Sequence, residues 1–325
     1  MKEEMESIYN RIKNAMTAEG TMPEDFVLRP RLSDGRQFAD GAIDGTIRYY
    51  MGRTDNTDIE MLTQALKLAS KDKFEDAGNA LITYFAQGIV MLPVMDKLQE
   101  WIYAHSGELS PENLGRFAMT LLKQSSDVES VKFALAVLEV IEQEQTDELE
   151  DLLLTLAGCE ELTLFCLFVL GGYENANEMY FELAKKLHGW GRIHAVSMLK
   201  PVNEEMRDWL LREGWQNNIM PEYSAITIIK RVKLADMLQN VAGSPDELVN
   251  QAGNLIGYAL QEEPIAGLSA YKRAGEVLQG YLACAQKARL TEENLQKLPE
   301  IKAFIEQSSL ANKWQLVDMC NDILG

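Results

Sequence analysis

The chain has 325 residues, with 50 Asp and Glu against 31 Lys and Arg, a formal net charge of −19 and 46% hydrophobic residues. That apolar content excludes a disordered chain, and the length suffices for a large buried core. The negative charge argues against nucleic acid as a partner, because Lys and Arg neutralising phosphates dominate that affinity.

The first residues, Met1-Lys-Glu-Glu-Met-Glu, are charged and contain no apolar signal-peptide core, so the expectation is a cytoplasmic protein with no membrane anchor. Residues 19–56 are crowded by Pro23, Pro30, Gly35, Gly41, Gly45 and Gly52, which predicts loops and a short extended piece at 26–32. Within this stretch Phe38, Ala42, Ile43, Ile47, Tyr50 and Met51 follow helical spacing. On such a helix Gly41 and Gly45 lie one turn apart and permit close packing, and Asp44 and Arg48 are placed to pair at i,i+4. Asp40, Asp44, Arg48 and Tyr49 form a secondary candidate set, as a polar site between residues 38–51 and a helical groove. The expected organisation is an N-terminal helix plus irregular segment over 1–56, packed on one continuous helical domain over 57–325.

From Thr57 onward, start and stop signals recur. Capping boxes stand at Thr57-x-x-Glu60, Ser126-x-x-Glu129 and Ser244-Pro245-x-Glu247, with simpler N-caps at Ser110, Asn203 and Thr291. Gly107, Gly158, Gly171, Gly189, Gly214 and Gly243 follow the apolar runs as C-cap glycines do. Apolar residues recur at three and four, as in Ile59, Leu62, Leu66 and in Leu298, Ile301, Ile305, and alternating runs are nearly absent. About fourteen or fifteen helices are expected, hence an all-α fold. The longest apolar stretch, Leu162 to Leu170, is about half a bilayer span and reads as a buried core helix.

A repeat runs through the middle of the chain. In Phe133-Ala134-Leu-Ala-Val-Leu138, Phe165-Cys166-Leu-Phe-Val-Leu170, His194-Ala195-Val-Ser-Met-Leu199 and Ser224-Ala225-Ile-Thr-Ile-Ile229, a small residue precedes a large aliphatic one by four positions. The small residues fall at 134, 166, 195 and 225, near a period of 30, which holds two helices and two turns. Gly191-Arg-Ile-His-Ala-Val-Ser-Met-Leu199 followed by a helix over 204–212 resembles a HEAT/armadillo-type repeat. The chain is similar to uncharacterised bacterial HEAT-like helical-repeat proteins, most clearly over residues 110–240. The resemblance implies an α-solenoid of antiparallel helix pairs used as a binding surface. It implies no reaction.

Catalytic motifs are absent. No His-Glu-x-x-His occurs, and His188 and His194, six apart, do not share a helical face, so no metal is expected. No nucleophile elbow or phosphate-binding glycine loop occurs, so no cofactor is expected. Gly280 and Cys284 have the spacing that precedes the haem thiolate of cytochrome P450 enzymes, but Val277 and Gln286 depart from that pattern. Cys159, Cys166, Cys284 and Cys320 read as buried free thiols. From Asp127 to Glu161 eleven carboxylates face the single Lys132, which reads as a solvated face.

Between 185 and 233 basic residues outnumber acidic ones, nine to five, and aromatic residues interleave with them. Arg and aromatic residues together compose protein-binding hot spots. The candidate binding surface is therefore His188, Trp190, Arg192, His194, Arg212, Trp215 and Tyr223, expected to be partly exposed, whereas Trp209 with Met206 and Leu210 is expected to face inward. The functional expectation is a non-catalytic scaffold for a protein or peptide partner. A small-molecule site or enzyme at residues 38–51 is the alternative, and nucleic-acid recognition stands behind both.

Overall fold

A computed structural model describes residues 6–29, 35–51, 57–142, 144–241, 243, 245–263 and 265–325. Among them are eighteen α-helices and no strand, so the all-α reading holds. The chain divides into two compact units, Met1–Ala195 and Val196–Gly325, a division that falls within one helix and not at 56/57.

The first unit contains α1 (Ile8–Ala15), α2 (Ala42–Thr46), α3 (Glu60–Ser70), α4 (Phe74–Phe85), α5 (Met95–Ala104), α6 (Pro111–Gln124), α7 (Val128–Leu138), α8 (Asp147–Ala157), α9 (Thr163–Leu170), α10 (Ala176–Lys186) and most of α11 (Trp190–Met198). Helices α3 and α4 pack as a pair, as do α6 and α7, and α9 lies against both α7 and α8. All eleven residues of α7 are buried, and seven of the eight in α9. A helix apolar all round belongs in the interior. That places Leu162–Leu170 in the core, and no helix of the described residues is long and apolar enough to cross a membrane.

The second unit contains α12 (Glu204–Trp209), α13 (Glu222–Arg231), α14 (Leu234–Asn240), α15 (Asp246–Ala259), α16 (Ala274–Ala285), α17 (Glu292–Gln307) and α18 (Lys313–Leu324). Its packing forms two rows. Helices α13, α15 and α17 touch in sequence along one row, and α14, α16 and α18 along the other. Gly280 permits the second row: a Cβ there would lie 2.9 Å from Leu238 Cβ. The Gly280–Cys284 spacing thus serves helix packing, with Cys284 Sγ 3.6 Å from the Leu238 carbonyl.

Several sequence expectations meet the structure directly. Ser110, Asn203 and Thr291 each accept a backbone N–H as N-caps. Asp127, not Ser126, caps α7, because its carboxylate receives the Ser130 N–H at 2.7 Å. The Ser244 box falls outside the described residues at Ser244 itself, and Pro245 precedes α15 without a side-chain cap. More helices form than expected because some breaks carry no Gly or Pro signal. Lys233, the residue before α14, sits at φ 55° in the left-handed region that non-glycine residues rarely enter, and separates α14 from α13. The small residues of the repeat, Ala134, Cys166, Ala195 and Ala225, lie on α7, α9, α11 and α13 and are all fully buried.

Candidate functional site

The first unit contains a polar centre inside an apolar shell, where residues 28–29 and 40–49 meet α7, α9 and the start of α11. Lys132 enters it from α7 with no exposed surface and contacts Asp44 Oδ2 at 2.5 Å and Glu161 Oε1 at 2.6 Å. Its ammonium also stands 5.5 Å from the Phe165 ring centre. Arg29 forms ion pairs with Glu129 and, at 2.6 Å, with Glu161. Each carboxylate of the pair also takes a backbone N–H: Met91 N donates to Glu129 Oε2 at 2.7 Å, and Gly41 N to Glu161 Oε2 at 2.7 Å.

A buried charge is costly unless it is paired and hydrogen-bonded. Here the pairing sets the protonation states. Burial pulls the Lys132 pKa down, but Asp44, Glu129 and Glu161 outweigh it and hold the ammonium charged well into alkaline pH. Burial pushes Glu161 up, and Lys132 and Arg29 more than reverse it, leaving the pKa below the ordinary carboxylate value. Asp44 is raised by burial despite Lys132, and its Oδ1 has no hydrogen-bond partner among the described residues. Burial raises Asp40 to about 6, against the Leu28 N–H that it accepts at 2.9 Å. The Cys159 thiol, 3.5 Å from Asp40, is pushed far up by burial and by that carboxylate.

Glycines bring the segment this close. Gly41 sits at φ 78°, and a Cβ there would meet the Glu160 carbonyl and Trp190 Cβ at 2.7 and 2.8 Å. A Cβ on Gly45 would overlap the Trp190 ring. The expected glycine-packed helix therefore exists, as α2 continued by a π-helical turn over Ile47–Met51. The expected Asp44–Arg48 pair is replaced by Asp44–Lys132, while Arg48 Nη1 lies 3.3 Å from His194 Nδ1. Arginine only donates, so Nδ1 accepts and the imidazole proton resides on Nε2. Burial first, then Arg48 and Lys132, drive the His194 pKa far below its usual value, and the ring stays neutral. Tyr49 stacks near both Trp190 and His194, with centroids 6.1 and 6.3 Å away.

Beside this centre, Glu160 accepts the backbone N–H groups of His188 at 2.9 Å, Gly189 at 2.7 Å and Gly191. A carboxylate at a helix start satisfies orphan donors and complements the dipole of α11. Glycine is required at Gly191, where a Cβ would press on Thr163.

The structure thus unites Asp40, Asp44, Arg48 and Tyr49 with Trp190 and His194. It also corrects the expectation of exposure: Trp190 is 6% exposed, Arg192 6%, His194 0% and Tyr223 4%. Arg192 Nη1 donates to the Leu187 carbonyl at 3.3 Å, inside the fold. His188 is exposed. In the second unit, Arg212 is exposed and pairs with Glu247 at 2.9 Å, and half-buried Trp215 donates to the Leu211 carbonyl at 3.1 Å. Trp209, Met206 and Leu210 are buried as expected. Sequence reasoning missed Arg29, Glu129, Lys132, Glu160 and Glu161. One signal was available: Lys132 is the sole cation amid eleven carboxylates, inside a helix otherwise rich in apolar residues. Among the described residues no group of three or more His, Cys, Asp or Glu side chains is arranged to hold a metal ion.

No family model, curated protein or solved structure matches the chain.

Proposed function

We propose that the chain is a non-catalytic scaffold, built from HEAT-like helix pairs as an α-solenoid, that binds a protein or peptide partner. The observation that carries this reading is the protonation pattern of the polar centre. A general acid or base needs a pKa near the working pH, and a nucleophile needs an accessible, deprotonated form. Lys132 is held as an ammonium, Cys159 as a thiol and His194 as a neutral ring, and all three are buried. Charges locked this way suit holding Arg29 and residues 40–48 in place. The two-row packing of α13 to α18 is the neighbour relation expected of stacked helix pairs, and it supports the solenoid part of the proposal. Affinity capture from native lysate tests the reading, followed by calorimetric titration of the captured protein with the purified chain. A saturable protein complex is expected. Co-purification of a small molecule alone, with no protein binding, would overturn it.

A second reading has one specific observation behind it. Asp40 titrates at about 6 and Asp44 Oδ1 lacks a partner among the described residues, which fits a polar small-molecule or enzyme site at residues 38–51. Asp40→Asn separates the two readings: it abolishes small-molecule binding under the second and leaves protein binding intact under the first.

A further inference from the structure

The acidic run from Asp127 to Glu161 does not form one uniform solvated face. The end of α7 and the residues that follow it line a cleft together with the end of α9. Its floor is Leu138 and Val169, with Ile141 and Phe168 partly exposed at its edge. Its rim is Glu139, Glu142 and Glu144. No cation among the described residues pairs with Glu142 or Glu144, whereas the nearby Lys123 is already engaged by Glu148 at 2.6 Å. Both glutamates also line a second cleft, beside Met119 and Leu149.

One further observation marks this cleft as an interaction site. Tyr173 contributes to its wall while only 8% exposed, and its hydroxyl is buried with no hydrogen-bond partner among the described residues. A buried hydroxyl normally has a partner, so this one awaits a group supplied from outside. Glu139, on the rim, accepts a hydrogen bond from Gln99 at 2.8 Å.

We infer that this cleft docks a cationic amphipathic segment of a partner protein, with aliphatic side chains on Ile141 and Phe168 and a Lys or Arg between Glu142, Glu144 and the Tyr173 hydroxyl. The inference rests on the scaffold reading and names the partner's chemistry. An apolar floor alone would accept any greasy segment, and a charged rim alone would attract any cation. Together they select a segment carrying both features at helical spacing.

The test uses the full chain and a fluorescein-labelled amphipathic peptide of leucine and lysine, with the same peptide carrying glutamate for lysine as control. The lysine peptide is expected to bind and the glutamate peptide not to bind. The double substitution Glu142→Gln, Glu144→Gln should weaken binding by about three- to tenfold, as loss of two exposed charge pairs does. Tyr173→Phe should weaken it by a smaller factor without loss of fold. Glu204→Gln with Glu205→Gln, the same charge change made elsewhere, should leave binding unaltered. Equal weakening by both double variants would reduce the interaction to diffuse attraction by a net charge of −19 and overturn the inference, as would unweakened binding to the cleft variant. Should the double variant fold poorly, Glu144→Lys serves the same purpose by charge reversal. A lysate partner captured equally by the parent and by the cleft variant would overturn the cleft while sparing the scaffold reading, whereas the absence of any protein partner would overturn the scaffold reading itself.

Discussion

Lys132 answers two carboxylates, at 2.5 and 2.6 Å, with no exposed surface. Removing one partner of a buried pair strands the others, so Lys132→Met should destabilise the fold by about 3–5 kcal/mol in denaturant titration. Adding Asp44→Leu should restore part of that loss, since one stranded charge is then gone. A K132M protein as stable as the parent would mean that the carboxylates find water or protonate freely. Two neighbours control the response to acid with opposite signs. His194 is neutral when folded and protonates near 6.5 only when unfolded, so its contribution is present at neutral pH and is lost as pH falls below 6.5. Asp40 has a folded pKa of about 6 against 3.8, so the folded state holds its proton through that window and gains stability as pH falls. Asp40→Asn should therefore steepen the loss of stability between about pH 6 and 4, and unchanged urea midpoints across that window would contradict the assignment. At this scale the sequence was only partly legible. Asp44, Arg48 and Tyr49 were recognisable as a set, but their partners come from residues more than 80 positions away, as with Asp44 and Lys132 at a separation of 88. Such pairing follows from tertiary packing and leaves no local spacing to read.

Helices were the most legible level, because caps and apolar periodicity act within a few residues. The i,i+4 repeat of small and large residues marked α7, α9, α11 and α13, and each small residue is fully buried. Ala195→Leu should overpack its site and lower stability by about 1–3 kcal/mol. Gly45→Ala, whose new methyl meets the Trp190 ring, should do the same. Denaturant midpoints that do not move would mean that neither crossing is close. What helix signals could not convey was the side facing solvent. Trp190, Arg192 and His194 looked like a surface because their composition matches interfaces. The fold instead buries them, with the aromatic stack of Tyr49, Trp190 and His194 covering the imidazole. Breaks such as Lys233 were equally silent, since a left-handed lysine carries no sequence mark.

For the whole molecule, two polar regions of the first unit differ in kind. The centre around Lys132 holds Arg29, through shared carboxylates, and Asp44, and is buried. The cleft around Glu142 and Glu144 is open, acidic and edged by half-exposed apolar side chains. Binding by one region or the other leaves different traces, because a bound partner slows amide exchange where it covers or stabilises the backbone. The most direct measurement is therefore hydrogen exchange of the full chain with and without its captured protein partner. Docking at the cleft should slow exchange at residues 138–142 and 168–173 and leave residues 35–51 and 187–194 unchanged. Slowing confined to residues 35–51 and 187–194 would contradict it and locate the function in the polar centre.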